Sequence, residues 1–104
     1  MRVRFADRLP ATADLVVIGG GVIGCATAFF AARAGLRVVV LERRAALGTL
    51  TTPASTGAFR LQFDNPEEIA VVREGVELFD AFADRTGLDG WDIGLRHGGY
   101  CSAH

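Results

Sequence analysis

The residues best suited to chemistry are the glycines between positions 19 and 24, which match the pattern G-x-G-x-x-G. In this motif Gly19 permits a tight turn, Gly21 lets the backbone approach a pyrophosphate, and Gly24 lets a helix lie close to a strand. The exposed amides at Val22 and Ile23, at the positive end of the helix dipole, would face the phosphate groups. The pattern therefore predicts a dinucleotide-binding turn.

An acidic residue follows at the spacing that adenosine binding requires. Glu42 lies 18 residues beyond Gly24, where a carboxylate can accept hydrogen bonds from the adenosine ribose. A carboxylate there would repel a 2′-phosphate, which disfavours NADP, although Arg43 and Arg44 adjoin it. NAD and FAD share the ADP moiety, so these residues alone leave both open. The alternative is a glycine-rich turn of an ordinary α/β protein, with Glu42 as a solvated strand end.

The elements that would position these groups are short and apolar. A β-branched run at 15–18 indicates a buried strand, and the small apolar residues from Val22 indicate a helix that stops at Gly35. A second buried strand is indicated at 38–41. Strand, helix and strand within about 30 residues predict a right-handed unit with parallel strands. The expected fold class is α/β, with a Rossmann-like βαβ unit over residues 14–44.

Three further parts follow. Residues 45–58 show neither the helical nor the strand spacing of apolar residues, which predicts a functional loop. Asn65 as a cap and Pro66 in the first helical position predict a helix that ends at Gly87. Its core face would carry apolar residues at spacings of three and four: Ile69, Val72, Val76, Phe79 and Phe82.

Residues 93–96 and 100–102 flank a His-Gly-Gly turn and predict a β-hairpin. Because two parallel strands cannot form a doubly covered sheet, we expect an incomplete N-terminal portion of a domain, residues 1–104.

Composition excludes several classes of protein. The chain has 104 residues and a net charge of −1, which argues against nucleic acid or an acidic membrane as partner. No apolar run reaches the roughly 20 residues of a membrane span. The two cysteines, Cys25 and Cys101, are scattered and have no His/Cys cluster around them, which predicts a cytoplasmic protein without a metal site.

Two stretches of sequence resemble one family. Residues 14–28 read DLVVIGGGVIGCATA and residues 38–43 read VVVLER. Residues 51–63 read TTPASTGAFRLQF, which contains a T-x-x-S-x-G-like pattern followed by an arginine. From residue 14 to residue 104 the chain resembles the FAD-dependent oxidoreductases of the D-amino-acid oxidase superfamily, and residues 45–63 look like that family's flavin-side loop.

The resemblance implies FAD as cofactor, with its pyrophosphate at the three motif glycines, its ribose on Glu42 and its adenine side near Arg43. It also implies that four loop residues approach the flavin or ribityl portion: Thr51, Thr52, Ser55 and Gly57. In related sarcosine oxidases the arginine matching Arg60 contacts the substrate carboxylate, for which a guanidinium is a suitable fork. The alternative is a surface arginine paired with Asp64 or Glu67.

Two features depart from the family pattern. Residues 45–60 contain no histidine, so covalent FAD attachment is unsupported, and Pro53 stiffens the loop and removes one amide donor. The hypothesis is the N-terminal part of an FAD-dependent oxidoreductase that oxidises a C–N bond of an amine or amino acid, with hydride transfer to flavin. We expect the 104-residue chain alone to be inactive, with the catalytic residues beyond it. The alternatives are an NAD-dependent dehydrogenase and a non-catalytic nucleotide-binding fragment.

Overall fold

The computed structural model describes residues 3–99, and the chain divides into two compact units, Met1–Gly57 and Ala58–His104. The first unit contains β1 (Leu15–Ile18), α1 (Val22–Arg33), β2 (Val38–Leu41) and one short helix, α2 (Thr51–Ala54). The second contains α3 (Pro66–Asp80) and α4 (Phe82–Thr86). Within residues 3–99 no helix combines the length and apolar character that crossing a membrane needs.

β1 and β2 form a parallel pair, as the sequence predicts. The register begins with Leu15 opposite Val38 and continues in step to the ends of both strands. Along β1, Val17 is half-buried and lies against α1, whereas Ile18 is 86% exposed on the opposite face. The α/β character and the parallel pairing are therefore confirmed. The Rossmann-like arrangement stays a prediction, since two strands do not define the strand order of a larger sheet.

α1 begins directly after the glycine turn and ends where the sequence predicts. Gly35 has φ 92°, and its N–H donates to the carbonyl of Ala32 at 3.0 Å. The N–H of Leu36 donates to the carbonyl of Ala31 at 3.2 Å. These two bonds form a Schellman motif, which requires a left-handed residue that glycine supplies without steric cost. Gly35 thereby ends the helix, and only Leu36 and Arg37 separate it from β2.

A charged pair joins the starts of the two strands. The Asp14 carboxylate accepts hydrogen bonds from Nε and Nη2 of Arg37, at 3.0 and 2.7 Å, and from the Arg37 backbone N–H at 2.8 Å. Arg37 also donates to the Thr12 hydroxyl at 3.0 Å. The hydrogen bond from the Arg37 side chain lowers the pKa of Asp14 below its ordinary value, and the bond from the Arg37 backbone N–H lowers it further. Because both side chains are solvent-accessible, the pair aligns the strands more than it adds stability.

The predicted loop over residues 45–58 contains one element that the sequence analysis missed. Residues Thr51–Ala54 form a four-residue helix. Pro53 is tolerated there because the amides of a first helical turn have no helical acceptor to lose. The prediction of an irregular loop was wrong for these residues, since a single turn is too short to show a helical period.

α3 starts as predicted, but the helix is divided. The Asn65 side chain accepts a hydrogen bond from the N–H of Glu67 at 2.9 Å, and Pro66 occupies the first position. The single helix predicted as far as Gly87 is interrupted at Ala81, which has φ −116° and ψ 39°. α4 follows, and Gly87 ends it with φ 72°. Alanine is a strong helix former, so no residue type marks the interruption.

The first arm of the predicted hairpin is not a strand. Residues 91–99 have no regular secondary structure. The N–H of Gly94 donates to the Asp92 carboxylate at 2.7 Å, and Gly94 has φ 67°. A side chain that closes a turn on the backbone, followed by a left-handed residue, interrupts an extended strand. The prediction for 93–96 was therefore wrong, and the second arm at 100–102 lies outside the described residues.

Apolar side chains in the described part of the chain are only partly buried. None of its hydrophobic residues is buried, and Gly20 is the one buried residue among residues 3–99. α1 contacts both strands. The most buried position of the described residues thus lies in the glycine turn.

Candidate nucleotide-binding site

The glycine turn joins the end of β1 to the start of α1. Gly19 has φ 101°, a conformation that residues with a Cβ rarely adopt, and its N–H donates to the carbonyl of Leu41 at 2.8 Å. A Cβ on Gly24 would collide with the carbonyl oxygen of Gly19. Glycine is therefore needed at position 19 for the turn and at position 24 for the approach of α1.

Gly21 borders an open cavity of about 350 Å³. A Cβ on Gly21 would meet the Thr52 hydroxyl at 3.7 Å, an ordinary contact distance that leaves the backbone accessible. The walls are the glycine turn, the end of β2 and the chain that follows it. The lining includes these predicted site residues: Gly19, Gly21, Glu42, Arg43, Thr51 and Thr52.

Two backbone amides hold the Glu42 carboxylate at the edge of this cavity. The N–H of Gly20 donates to Oε2 at 2.9 Å, and the N–H of Arg44 donates to Oε1 at 2.8 Å. The Gly20 bond is the main cause of the lowered pKa of Glu42, and the Arg44 amide lowers it further. The carboxylate is thus ionised near neutral pH. Each oxygen keeps a lone pair that can accept a bond from a sugar hydroxyl.

The chain after β2 folds back onto the glycine turn. The N–H of Gly48 donates to the carbonyl of Gly20 at 2.8 Å, and the N–H of Val22 donates to Oγ1 of Thr52 at 3.1 Å. The sequence analysis missed the part played by Gly20, Gly48 and the Arg44 amide. Gly48 has φ 65°. A glycine at this position is the one local sign in the sequence that the chain turns back here.

The remaining predicted cofactor residues do not line the cavity. Val22 uses its N–H in the bond described above, Ile23 is 80% exposed, and Gly24 packs beneath the turn. Ser55 and Gly57 follow α2, and the Gly57 N–H donates to the Ser55 hydroxyl at 3.2 Å in a local turn. Their predicted contacts with the flavin or ribityl portion stay predictions.

Arg60 belongs to the second unit. Its guanidinium carbon lies 5.2 Å from the ring centroid of Phe63, a cation–π distance. In the same unit the ring of Phe59 stacks on that of Phe79, with centroids 5.2 Å apart. The contact of Arg60 with a substrate carboxylate stays a prediction.

The cavity residues fit the ADP half of a dinucleotide. The start of α1 carries the positive end of the helix dipole, and Gly21 leaves room for a diphosphate beside it. The ionised Glu42 carboxylate is an acceptor that ribose hydroxyls could use. Within the described residues no group of three or more His, Cys, Asp or Glu side chains could hold a metal. The arrangement is thus suited to binding and orienting a cofactor.

Comparison with known proteins identifies a family. The family described as "FAD dependent oxidoreductase" matches residues 14–104. The FAD-dependent oxidoreductase domain-containing protein 1 of Xenopus laevis is 32% identical over 102 residues, which cover 90% of this chain and 20% of that protein. No solved structure matches the chain.

Shorter matches involve named enzymes. A glycerol 3-phosphate oxidase of Mycoplasma pneumoniae is 37% identical over 59 residues, covering 56% of this chain and 15% of that protein. A D-amino acid dehydrogenase of Methylobacterium nodulans is 46% identical over 43 residues, covering 41% of this chain and 10% of that protein. The chain spans about a fifth or less of the length of these relatives.

Proposed function

The chain belongs to the DAO family of FAD-dependent oxidoreductases, and on that premise we propose that it holds the ADP half of FAD in an enzyme that oxidises a C–N bond of an amine or amino acid. Family membership confirms FAD as the cofactor and sets aside the NAD-dependent dehydrogenase. The chain spans only a small part of the length of its relatives. The reaction is an activity of the whole protein, and we therefore give it as a proposal.

One observation carries the proposed role in binding. Gly21, the residue before α1, and the ionised Glu42 carboxylate line the same cavity, and the N–H of Gly20 in the turn donates to Glu42 at 2.9 Å. A diphosphate is stabilised by backbone N–H groups at the positive end of a helix dipole, and ribose hydroxyls can donate to a carboxylate. The glycine turn and Glu42 together therefore suit adenosine diphosphate. Either group alone would be weak evidence.

When bound, FAD supplies the ring that accepts a hydride from the substrate. The residues of this chain do the holding. The glycine turn lets the diphosphate reach backbone amides, and Glu42 orients the ribose while its charge opposes a 2′-phosphate. Fixing the ADP half limits the positions that the rest of the cofactor can take, which is how binding far from the reacting atoms contributes to rate.

The substrate class rests on the family resemblance and on the similar D-amino acid dehydrogenase. We propose Arg60 as the group that binds the substrate carboxylate, through the two parallel bonds that a guanidinium can donate. A second candidate is oxidation of a C–O bond in a polyol phosphate, which the similarity to glycerol 3-phosphate oxidases favours.

The test is anaerobic reduction of the full-length gene product. The purified protein should show flavin absorbance, and that absorbance should bleach with D-amino acids or N-methylated amino acids. Bleaching by glycerol 3-phosphate alone would favour the second candidate. A colourless protein that cannot be reconstituted with FAD would contradict the proposed function, whatever its substrate.

Two comparisons sharpen that test. The 104-residue chain, assayed beside the full-length product, should show no turnover with the same substrates. Arg60→Lys should raise KM for carboxylate-bearing amines more than for amines that lack a carboxylate, because lysine cannot form the bidentate pair. Equal changes for both substrate sets would argue that Arg60 serves folding instead.

A further inference from the structure

The first amide of α1 is already bonded to a side chain. Gly21, the residue before α1, provides no side-chain cap, and the N–H of Val22 donates instead to Oγ1 of Thr52 at 3.1 Å. Thr52 lies 30 residues further along the chain. The cap of α1 is therefore supplied by a distant segment, and both Thr52 and Gly21, the residue before the helix, line the cavity.

The hydroxyl oxygen of Thr52 stands where an anionic oxygen would be expected. The unpaired amides at a helix start are its anion-binding groups, and each carries a single proton. Thr52 is exposed and lines the cavity, so its oxygen is an acceptor placed inside the candidate site. The bond from Gly48 to Gly20 holds this segment close to the turn.

We propose that Thr52 is a built-in competitor of the cofactor diphosphate, an inference that rests on the proposed function. In the cofactor-free protein the Thr52 hydroxyl accepts the Val22 N–H. In the loaded protein a diphosphate oxygen accepts the same N–H, and the hydroxyl leaves it. The exchange is favourable because a bond to a charged acceptor is about twice as strong as one to a neutral hydroxyl.

This competition has two consequences. It satisfies an amide of α1 when no cofactor is bound, which stabilises the empty turn. It also subtracts the free energy of the capping bond from that of cofactor binding, since the bond must break first. Removing the hydroxyl should therefore lower the stability of the cofactor-free protein and tighten ADP binding. If Thr52 bound the diphosphate directly, its removal would weaken ADP binding instead.

The test is calorimetric titration of ADP into the cofactor-stripped full-length gene product. Thr52→Val should bind ADP roughly three- to tenfold more tightly than the wild type, the range that a helix cap or hydrogen bond implies. Thr52→Ser keeps the hydroxyl and should stay within about twofold of the wild type. Thr27→Val is the matched control, because it removes a hydroxyl that donates to the Ile23 carbonyl at 2.8 Å outside the cavity.

A readout without ligand separates this inference from the proposed function. In the stripped protein the Val22 amide should exchange hydrogen more slowly in the wild type and Thr52→Ser than in Thr52→Val, by about threefold or more. The proposal is overturned if Thr52→Val binds ADP equally or more weakly, or if Val22 exchange is unchanged. Should Thr52→Val fail to fold, Thr52→Ala carries the same expectations. A wild type that binds neither ADP nor FAD would instead overturn the proposed function, and this inference with it.

Discussion

Replacing Gly24 by alanine tests the close approach of α1 to the glycine turn. The added Cβ would collide with the carbonyl oxygen of Gly19 and lie 3.3 Å from Cγ1 of Val17. Gly19 cannot yield freely, because its N–H donates to the carbonyl of Leu41 at 2.8 Å. Overpacking costs about 1–3 kcal/mol, and alanine in a helix regains about 1 kcal/mol over glycine. With a backbone atom as the obstacle, we expect the free energy of unfolding to fall by about 1–2 kcal/mol.

Urea unfolding followed by circular dichroism measures this change. Gly75→Ala in α3 is the matched control: nothing lies within 4 Å of its Cβ position, so the substitution should stabilise the protein by about 0.5–1 kcal/mol. Displacement of the turn should also weaken ADP binding by roughly tenfold, the cost of one bond to a charged group. A Gly24→Ala protein as stable as Gly75→Ala, with unchanged ADP affinity, would refute the reasoning.

Two other substitutions test charges and caps. Glu42→Gln removes a carboxyl whose pKa is lowered from 4.5 by the Gly20 and Arg44 amides. The stability that this ionised group contributes is complete above its unfolded pKa and disappears as the pH falls through the lowered folded pKa, so the difference in unfolding midpoint between wild type and variant should shrink on acidification. A difference that stays constant from about pH 7 to pH 3 would contradict this. Asn65→Ala removes the bond to the Glu67 N–H and should cost about 1 kcal/mol in urea unfolding, whereas Asn65→Asp should stay close to the wild type; equal losses for both would show that the side-chain oxygen is unimportant.

Most of the elements around the site were predictable from local sequence. β1, α1 and β2 have the bounds that their apolar runs and Gly35 indicate, because each signal acts within one strand or one helical turn. Asn65 likewise caps α3 as predicted. The strand predicted at 93–96 was wrong because the Asp92 turn competes with extended pairing, a choice that depends on whether a partner strand lies beside it. The interruption at Ala81 has no local signal.

The sequence by itself determined the kind of ligand, since a glycine turn followed by Glu42 needs only residue types and spacing, which are read along the chain. It also placed the turn between a strand and a helix. The tertiary structure alone decided which atoms meet there. Glu42 accepts the amide of Gly20 across 22 residues, and Thr52 accepts that of Val22 across 30. Such contacts depend on how the chain after β2 returns to the turn, and neither the helical nor the strand period encodes that path.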